Sequence, residues 1–251
     1  HMVEVRNKKY ILRIPVIDFD VVDIRVYNEN DVLNFLNDKK IGIHHPSFID
    51  YGIFDGKKVC IHSFVDGNQM REVVSDDLNV PNEFVTRFAG VMSKIHYLKE
   101  APFVRETRYF DVKSFYLYDY NFISSLVKKW FNRYKDLYFG LGFPENIDTL
   151  LKFKGNELFE NSFSLTHCDM HRGNVIITES GDYSILDWEL TQFTDPLYDV
   201  AIHLHKMFYN EEQEEIFLKN YLKSFDYNYN QALKQINVYR SLEEVKSCVI
   251  D

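Results

Sequence analysis

The stretch Leu-Thr-His-Cys-Asp-Met-His-Arg-Gly-Asn-Val-Ile-Ile, residues 165–177, and the Tyr-Ser-Ile-Leu-Asp-Trp-Glu that follows at 183–189, constrain this chain most. Two apolar runs, Val175–Thr178 and Tyr183–Leu186, flank the turn Glu179-Ser180-Gly181-Asp182. That pattern predicts a hairpin with Asp169 and Asn174 before its first strand and Asp187 after its second. Two carboxylates and a carboxamide are then gathered at one end of the hairpin. Carboxylates beside a hairpin are commonly solvated turn residues. Here the carboxamide among them favours a built site: one carboxylate facing a hydroxyl, the other with the amide oxygen holding Mg²⁺.

The spacing H-x-D-x-x-x-x-N, with Asp187 thirteen residues after Asn174, follows the kinase catalytic-loop pattern. Asp187-Trp188-Glu189 stands where protein kinases have D-F-G. With these motifs the chain resembles the aminoglycoside phosphotransferase and choline kinase family, and Asp195-Pro196-Leu197-Tyr198-Asp199-Val200-Ala201 resembles the start of that family's next helix. The resemblance runs from about Tyr10 to about Tyr221. It implies an α+β, protein-kinase-like bilobal fold, with a small antiparallel-sheet lobe and a larger, mainly helical lobe carrying the catalytic hairpin. It also implies phosphorylation of a hydroxyl on a small, often cationic molecule, with Mg²⁺ and ATP or GTP. Asp169 is expected to accept or orient the acceptor hydroxyl and His167 to brace the loop; Asn174 and Asp187 are the expected metal ligands.

Residues 3–16 read as a hairpin: Val-Glu-Val-Arg, the turn Asn7-Lys8-Lys9, then a strand in which Tyr10, Leu12 and Ile14 alternate with Ile11 and Arg13. Residues 27–38 read as a helix with Val32, Leu33, Phe35 and Leu36 on one face and Glu29 in its first turn. Arg13 and Glu29, sixteen positions apart, resemble the family's strand-lysine and helix-glutamate pair that holds the nucleotide phosphates. Arginine departs from that pattern, keeping the charge while offering a planar fork. A simple surface ion pair is the other reading. Strands are expected over 49–54 and 58–67, with backbone near Ser63 and Val65 meeting the base. Residues 1–66 would form the nucleotide-binding lobe and 67–251 the catalytic and acceptor lobe. No glycine precedes Arg13, so the first strand and glycine-rich loop of a kinase-like lobe are expected to be missing, from the chain given or from the protein.

Further helices are expected over 81–99, 110–139, two stretches after residue 195, and 231–249, the last reading as if it should continue. His96 reads as a hydrogen-bonded core histidine. Asp195 and Asp199 read as helix-start carboxylates or as residues bonding back to the loop. His203 and His205, two apart on a helix, point away from each other and make no metal pair.

With 45% hydrophobic and 16% aromatic residues, the 251-residue chain can bury a large core. No apolar run of membrane-spanning length occurs. His1-Met2 reads as a purification-tag remnant, and no targeting peptide is evident. Three widely spaced cysteines, Cys60, Cys168 and Cys248, fit free thiols in a reducing cytoplasm. A formal charge of −9 argues against a nucleic-acid partner and is compatible with a cationic acceptor. An aminoglycoside or related amino-sugar is the leading acceptor. Choline, another amino alcohol or a sugar metabolite is the alternative, with Trp130, Trp188 and many tyrosines available for an aromatic cage. A catalytically silent nucleotide-binding protein is the third reading, opposed by the presence of all three of Asp169, Asn174 and Asp187.

Overall fold

The computed structural model describes residues 1–14, 29–73, 80–103 and 109–250. Strands β1 (Met2–Val5) and β2 (Lys8–Arg13) form the expected hairpin, with Val3 opposite Tyr10. Its turn is Arg6-Asn7, both at positive φ (51° and 62°), rather than Asn7–Lys9. A two-residue turn of that hand matches the twist of the flanking strands, and Asn tolerates the conformation. The expected strand end at Pro15 and Val16 and helix start at Tyr27 and Asn28 lie outside the described residues.

Strand β2 also pairs with β4 (Lys57–Ser63), which pairs with β3 (Phe48–Phe54), giving one sheet in the order β1-β2-β4-β3. Helix α1 (Glu29–Lys39) buries Val32, Leu33, Phe35 and Leu36, the face its period implies. The chain then passes through Gly67 into β5 (Asn68–Gln69), which pairs with β7 (Val175–Ile177) of the catalytic hairpin. Gly67 has φ of 144°, and a Cβ there would run into the Ile177 carbonyl oxygen and lie 2.6 Å from the Ile176 side chain. Glycine is what lets the crossing chain lie against the hairpin.

Beyond a short helix α2 (Met70–Val73) the molecule is mainly helical: α3 (Asn82–His96), α4 (Val112–Arg133), α5 (Lys135–Gly140), α6 (Pro196–Met207), α7 (Glu211–Lys223) and α8 (Tyr229–Ile250). Asp111 starts α4 by accepting from Ser114 N at 2.7 Å, while Ser114 Oγ accepts from Asp111 N at 3.0 Å. Asn210 and Gln213 cap α7 in the same reciprocal way. Helix α3 packs on α7, and α4 and α6 pack on α8, around a core that includes Phe88, Phe115, Tyr116, Tyr221 and Tyr239. Strand β6 (Ser164–Thr166) leads into the catalytic loop and pairs with β9 (Gln192–Thr194). Strand β7 pairs with β8 (Tyr183–Ile185). Loop entry and exit are therefore clamped by sheet hydrogen bonds on both sides. The fold is α+β and kinase-like, with the sheet and α1 on one side and the helices on the other. Among the described residues no helix is long and apolar enough to cross a membrane.

Candidate active site

Before β7 the loop carries Cys168 at φ 63°, and after β8 Asp187 sits at φ 61°, ψ 65°. Left-handed backbone at non-glycine residues costs roughly 1–2 kcal/mol and persists only where neighbours enforce it. At Cys168 the enforcing group is Asp199, fully buried on α6. It accepts from His167 N at 2.8 Å, Cys168 N at 2.9 Å and His96 Nε2 at 3.1 Å. Burial works to raise its pKa, but His96 and the loop donors hold Asp199 below the usual carboxylate range. His96 is completed by the Tyr221 hydroxyl 2.6 Å from Nδ1. His96 is thus a buried hydrogen-bonded histidine, and Asp199 bonds back to the loop. Asp195 caps α6 through Leu197 N at 3.1 Å and accepts from Tyr239 and Asn161. His203 turns its Nδ1 to Met170 O, and His205 turns its Nε2 to Ser247 Oγ, so the two form no metal pair.

His167 joins the two halves of the site. Its Nε2 donates to Leu186 O at 2.8 Å, and its Nδ1 accepts from Asp169 N at 3.2 Å. Burial lowers its pKa, so the imidazole stays neutral in that role. Asp169 has both oxygens engaged: Oδ1 by Lys206 Nζ at 2.7 Å, and Oδ2 by Asn174 Nδ2 at 3.2 Å with His171 Nε2 at 3.5 Å. Burial alone would raise its pKa; His171 and Lys206 hold it well below the ordinary value.

Arg13 and Glu29 meet as the resemblance implied, with Nη1 donating to Glu29 Oε1 at 2.8 Å. The guanidinium does more than pair. Its Nη2 donates to Asp187 Oδ1 and to Glu189 Oε2, each at 2.9 Å. Glu29 Oε1 also accepts from Trp188 N at 3.1 Å, tying α1 to the Asp-Trp-Glu segment. One cation therefore faces three carboxylates. Burial pushes Glu29 up to about 7 despite Arg13. Burial likewise pulls on Arg13, but Glu29, Asp187 and Glu189 keep its pKa above the ordinary value.

Arg13, Glu29 and Asp187 line a cavity of about 620 Å³ that also touches Ser63, Val65 and Asn174. The Ser63 N–H donates to Ser47 O and its hydroxyl accepts from Ser47 N, so both are directed away from a ligand. The Val65 backbone has no protein partner among the described residues. Asn174 uses Nδ2 on Asp169 and leaves its amide oxygen, and Asp187 leaves Oδ2, without protein partners among the described residues. That donor set fits Mg²⁺, which takes one or two carboxylates and completes its shell with water and phosphate oxygens. The excess of carboxylates over cations around Arg13 fits a dication as well. Among the described residues no cluster of three His, Cys, Asp or Glu side chains could hold a metal unaided.

Sequence reasoning did not reach Glu189, His171 or Lys206. Glu189 and His171 lie inside the two motifs and were visible there. Lys206 comes from α6, thirty-seven positions from Asp169, with no local signal. Trp188 is fully buried, with Nε1 donating to Ile185 O, while Trp130 stacks on Tyr134, and neither lines the cavity.

Residues 2–239 match the phosphotransferase enzyme family. Choline kinase LicA from Streptococcus pneumoniae superposes with a TM-score of 0.57 at 16% identity, over 99% of this chain and 78% of that one. Macrolide 2′-phosphotransferase MphH from Brachybacterium faecium gives 0.61 at 14% identity, over 92% and 74%. A spectinomycin phosphotransferase solved with ADP and spectinomycin gives 0.60 at 14% identity, over 99% and 76%. At such identities the superpositions establish a shared fold, and the family match extends over most of the chain. The chain belongs to the phosphotransferase enzyme family, as a small-molecule kinase whose acceptor group is an alcohol.

Proposed function

We propose that the protein transfers the γ-phosphoryl group of Mg²⁺-bound ATP or GTP to a hydroxyl of a small molecule, with an aminoglycoside or related amino-sugar as the acceptor class favoured by the family resemblance. The observation that supports this reading is the convergence of Arg13, Asn174 and Asp187 on one cavity, with Asp169 joined to Asn174 at its edge. In this reading residues 1–66 supply the nucleotide-binding part and 67–251 the catalytic and acceptor part.

Asn174 Oδ1 and Asp187 Oδ2 would hold Mg²⁺, which when bound neutralises phosphate charge. Arg13, kept in place by Glu29, donates to phosphate oxygens. Asp169 accepts the hydrogen bond of the acceptor hydroxyl and aims its lone pair at phosphorus. The new O–P bond forms as the bridging bond to the nucleoside diphosphate breaks, its electron pair leaving on the diphosphate. The hydroxyl proton passes to Asp169 and then to solvent. A carboxylate held this weakly basic serves positioning more than proton abstraction, which suits a loose transition state with little early loss of the proton. His167 stays neutral and keeps the loop against Leu186.

Asp169→Asn tests the assignment. Nucleotide-dependent phosphorylation should fall by about 10²–10⁴-fold with nucleotide affinity unchanged. Retained turnover in that variant removes Asp169 from the acceptor role.

A further inference from the structure

Lys206 lies in the last turn of α6 with only 27% of its side chain exposed. Its ammonium sits 2.7 Å from Asp169 Oδ1, on the carboxylate that this account assigns to the acceptor hydroxyl. The other oxygen is held by Asn174 and faces His171, so an acceptor hydroxyl must bind Asp169 beside Lys206 or beside His171. Lys206 has three N–H donors, and Asp169 is its one hydrogen-bonding partner among the described residues. A hydroxyl oxygen that donates to Oδ1 therefore lies within reach of a remaining N–H. Arg172, three residues beyond Asp169, stacks its guanidinium over the Phe208 ring at 5.0 Å and has no carboxylate partner among the described residues. The chain just beyond the catalytic carboxylate thus adds positive charge.

We propose, resting on the phosphotransfer reading above, that Lys206 determines the acceptor class: it donates to the acceptor hydroxyl held by Asp169 and excludes hydroxyls whose neighbouring carbon bears an ammonium group. Like charges brought this close in a partly buried site repel strongly, and the cost falls on the cationic competitor alone. The hydroxyl proton still goes to Asp169. Choline-like and ethanolamine-like acceptors are disfavoured. Amino-sugars are taken through hydroxyls flanked by neutral groups.

The test compares acceptors in which acetylation removes the charge next to every hydroxyl: ethanolamine with N-acetylethanolamine, and 2-amino-1,3-propanediol with its N-acetyl derivative. Wild type, Lys206→Met and Lys206→Arg are assayed with Mg-ATP and Mg-GTP at neutral pH, with melting temperatures confirming that each folds. In wild type, kcat/KM should favour the acetylated member at least about tenfold, mainly through KM. Lys206→Met should bring the ratio to within about twofold by improving the ammonium member, and Lys206→Arg should restore it. An unchanged ratio in Lys206→Met, or a wild-type ratio near one, overturns the proposal while leaving phosphotransfer standing. So does the absence of turnover for both acetylated acceptors in a wild-type protein that Mg-nucleotide stabilises. No stabilisation by Mg-nucleotide and no turnover at all would instead remove the phosphotransfer reading, and this proposal with it.

Discussion

Asp199 touches none of the cavity, yet the geometry of the catalytic loop depends on it. Three donors, His167 N, Cys168 N and His96 Nε2, end on one buried carboxylate. Asp199→Ala leaves all three without an acceptor, and each buried unpaired donor costs about 1–3 kcal/mol. Denaturant unfolding of this variant should show a loss on the order of 3–5 kcal/mol; a loss below about 1 kcal/mol would contradict the assignment. Asp169, Asn174 and Asp187 are legible in the sequence because one hairpin fixes their separation through local spacing. Arg13 and Glu29 are legible only through the family resemblance, since nothing local in the sequence brings a strand residue to a helix sixteen positions on. Lys206 is not legible, since its approach to Asp169 depends on how α6 packs beneath the loop. Asp199 reads from its position as a helix start and from the resemblance as bonding back to the loop, and the loop amides of His167 and Cys168 do end on it.

Helices α4 and α8 meet over a pair of buried carboxylates, Asp119 and Glu243. The Tyr198 hydroxyl donates to Asp119 Oδ1 at 3.3 Å, and Lys246 Nζ donates to Glu243 Oε2 at 2.7 Å. Among the described residues Asp119 Oδ2 and Glu243 Oε1 have no hydrogen-bond partner. Burial, then the charge of Glu243, raises the Asp119 pKa to about 7, against smaller opposing effects of Lys246 and Tyr198; the Cys168 thiol also lies near. A carboxyl raised on folding contributes stability that is complete below its unfolded pKa, near 4, and is lost as pH rises through about 7. Asp119→Asn cannot ionise. Its stability relative to wild type should therefore grow between pH 4 and 8, by on the order of 2–4 kcal/mol, as read from melts across that range. A difference that stays flat, or shrinks, contradicts a neutral Asp119 in the seam. Helices α1 and α3 are legible from period, and the catalytic hairpin from two apolar runs flanking a turn. Strands β5, β6 and β9 have two or three residues each and carry no period to read. They exist because neighbouring chain segments happen to lie alongside them.

Across the whole molecule one guanidinium ties the sheet and α1 to the Asp-Trp-Glu segment. Arg13 on β2 holds Glu29 of α1 and, from the other side, Asp187 and Glu189. In the proposed reading a dication held at Asp187 would supply the positive charge that Arg13 alone does not. The same cluster would explain why the Asp-Trp-Glu segment carries a second carboxylate beyond the expected ligand. Calorimetric titration of ATP and GTP into wild type, Asp187→Ala and Asp169→Asn, each with Mg²⁺ and with chelator, tests this most directly. The account predicts nucleotide binding that requires Mg²⁺, survives in Asp169→Asn and is weakened at least about tenfold in Asp187→Ala. Equal affinity with and without Mg²⁺, or an unaltered affinity in Asp187→Ala, would contradict it.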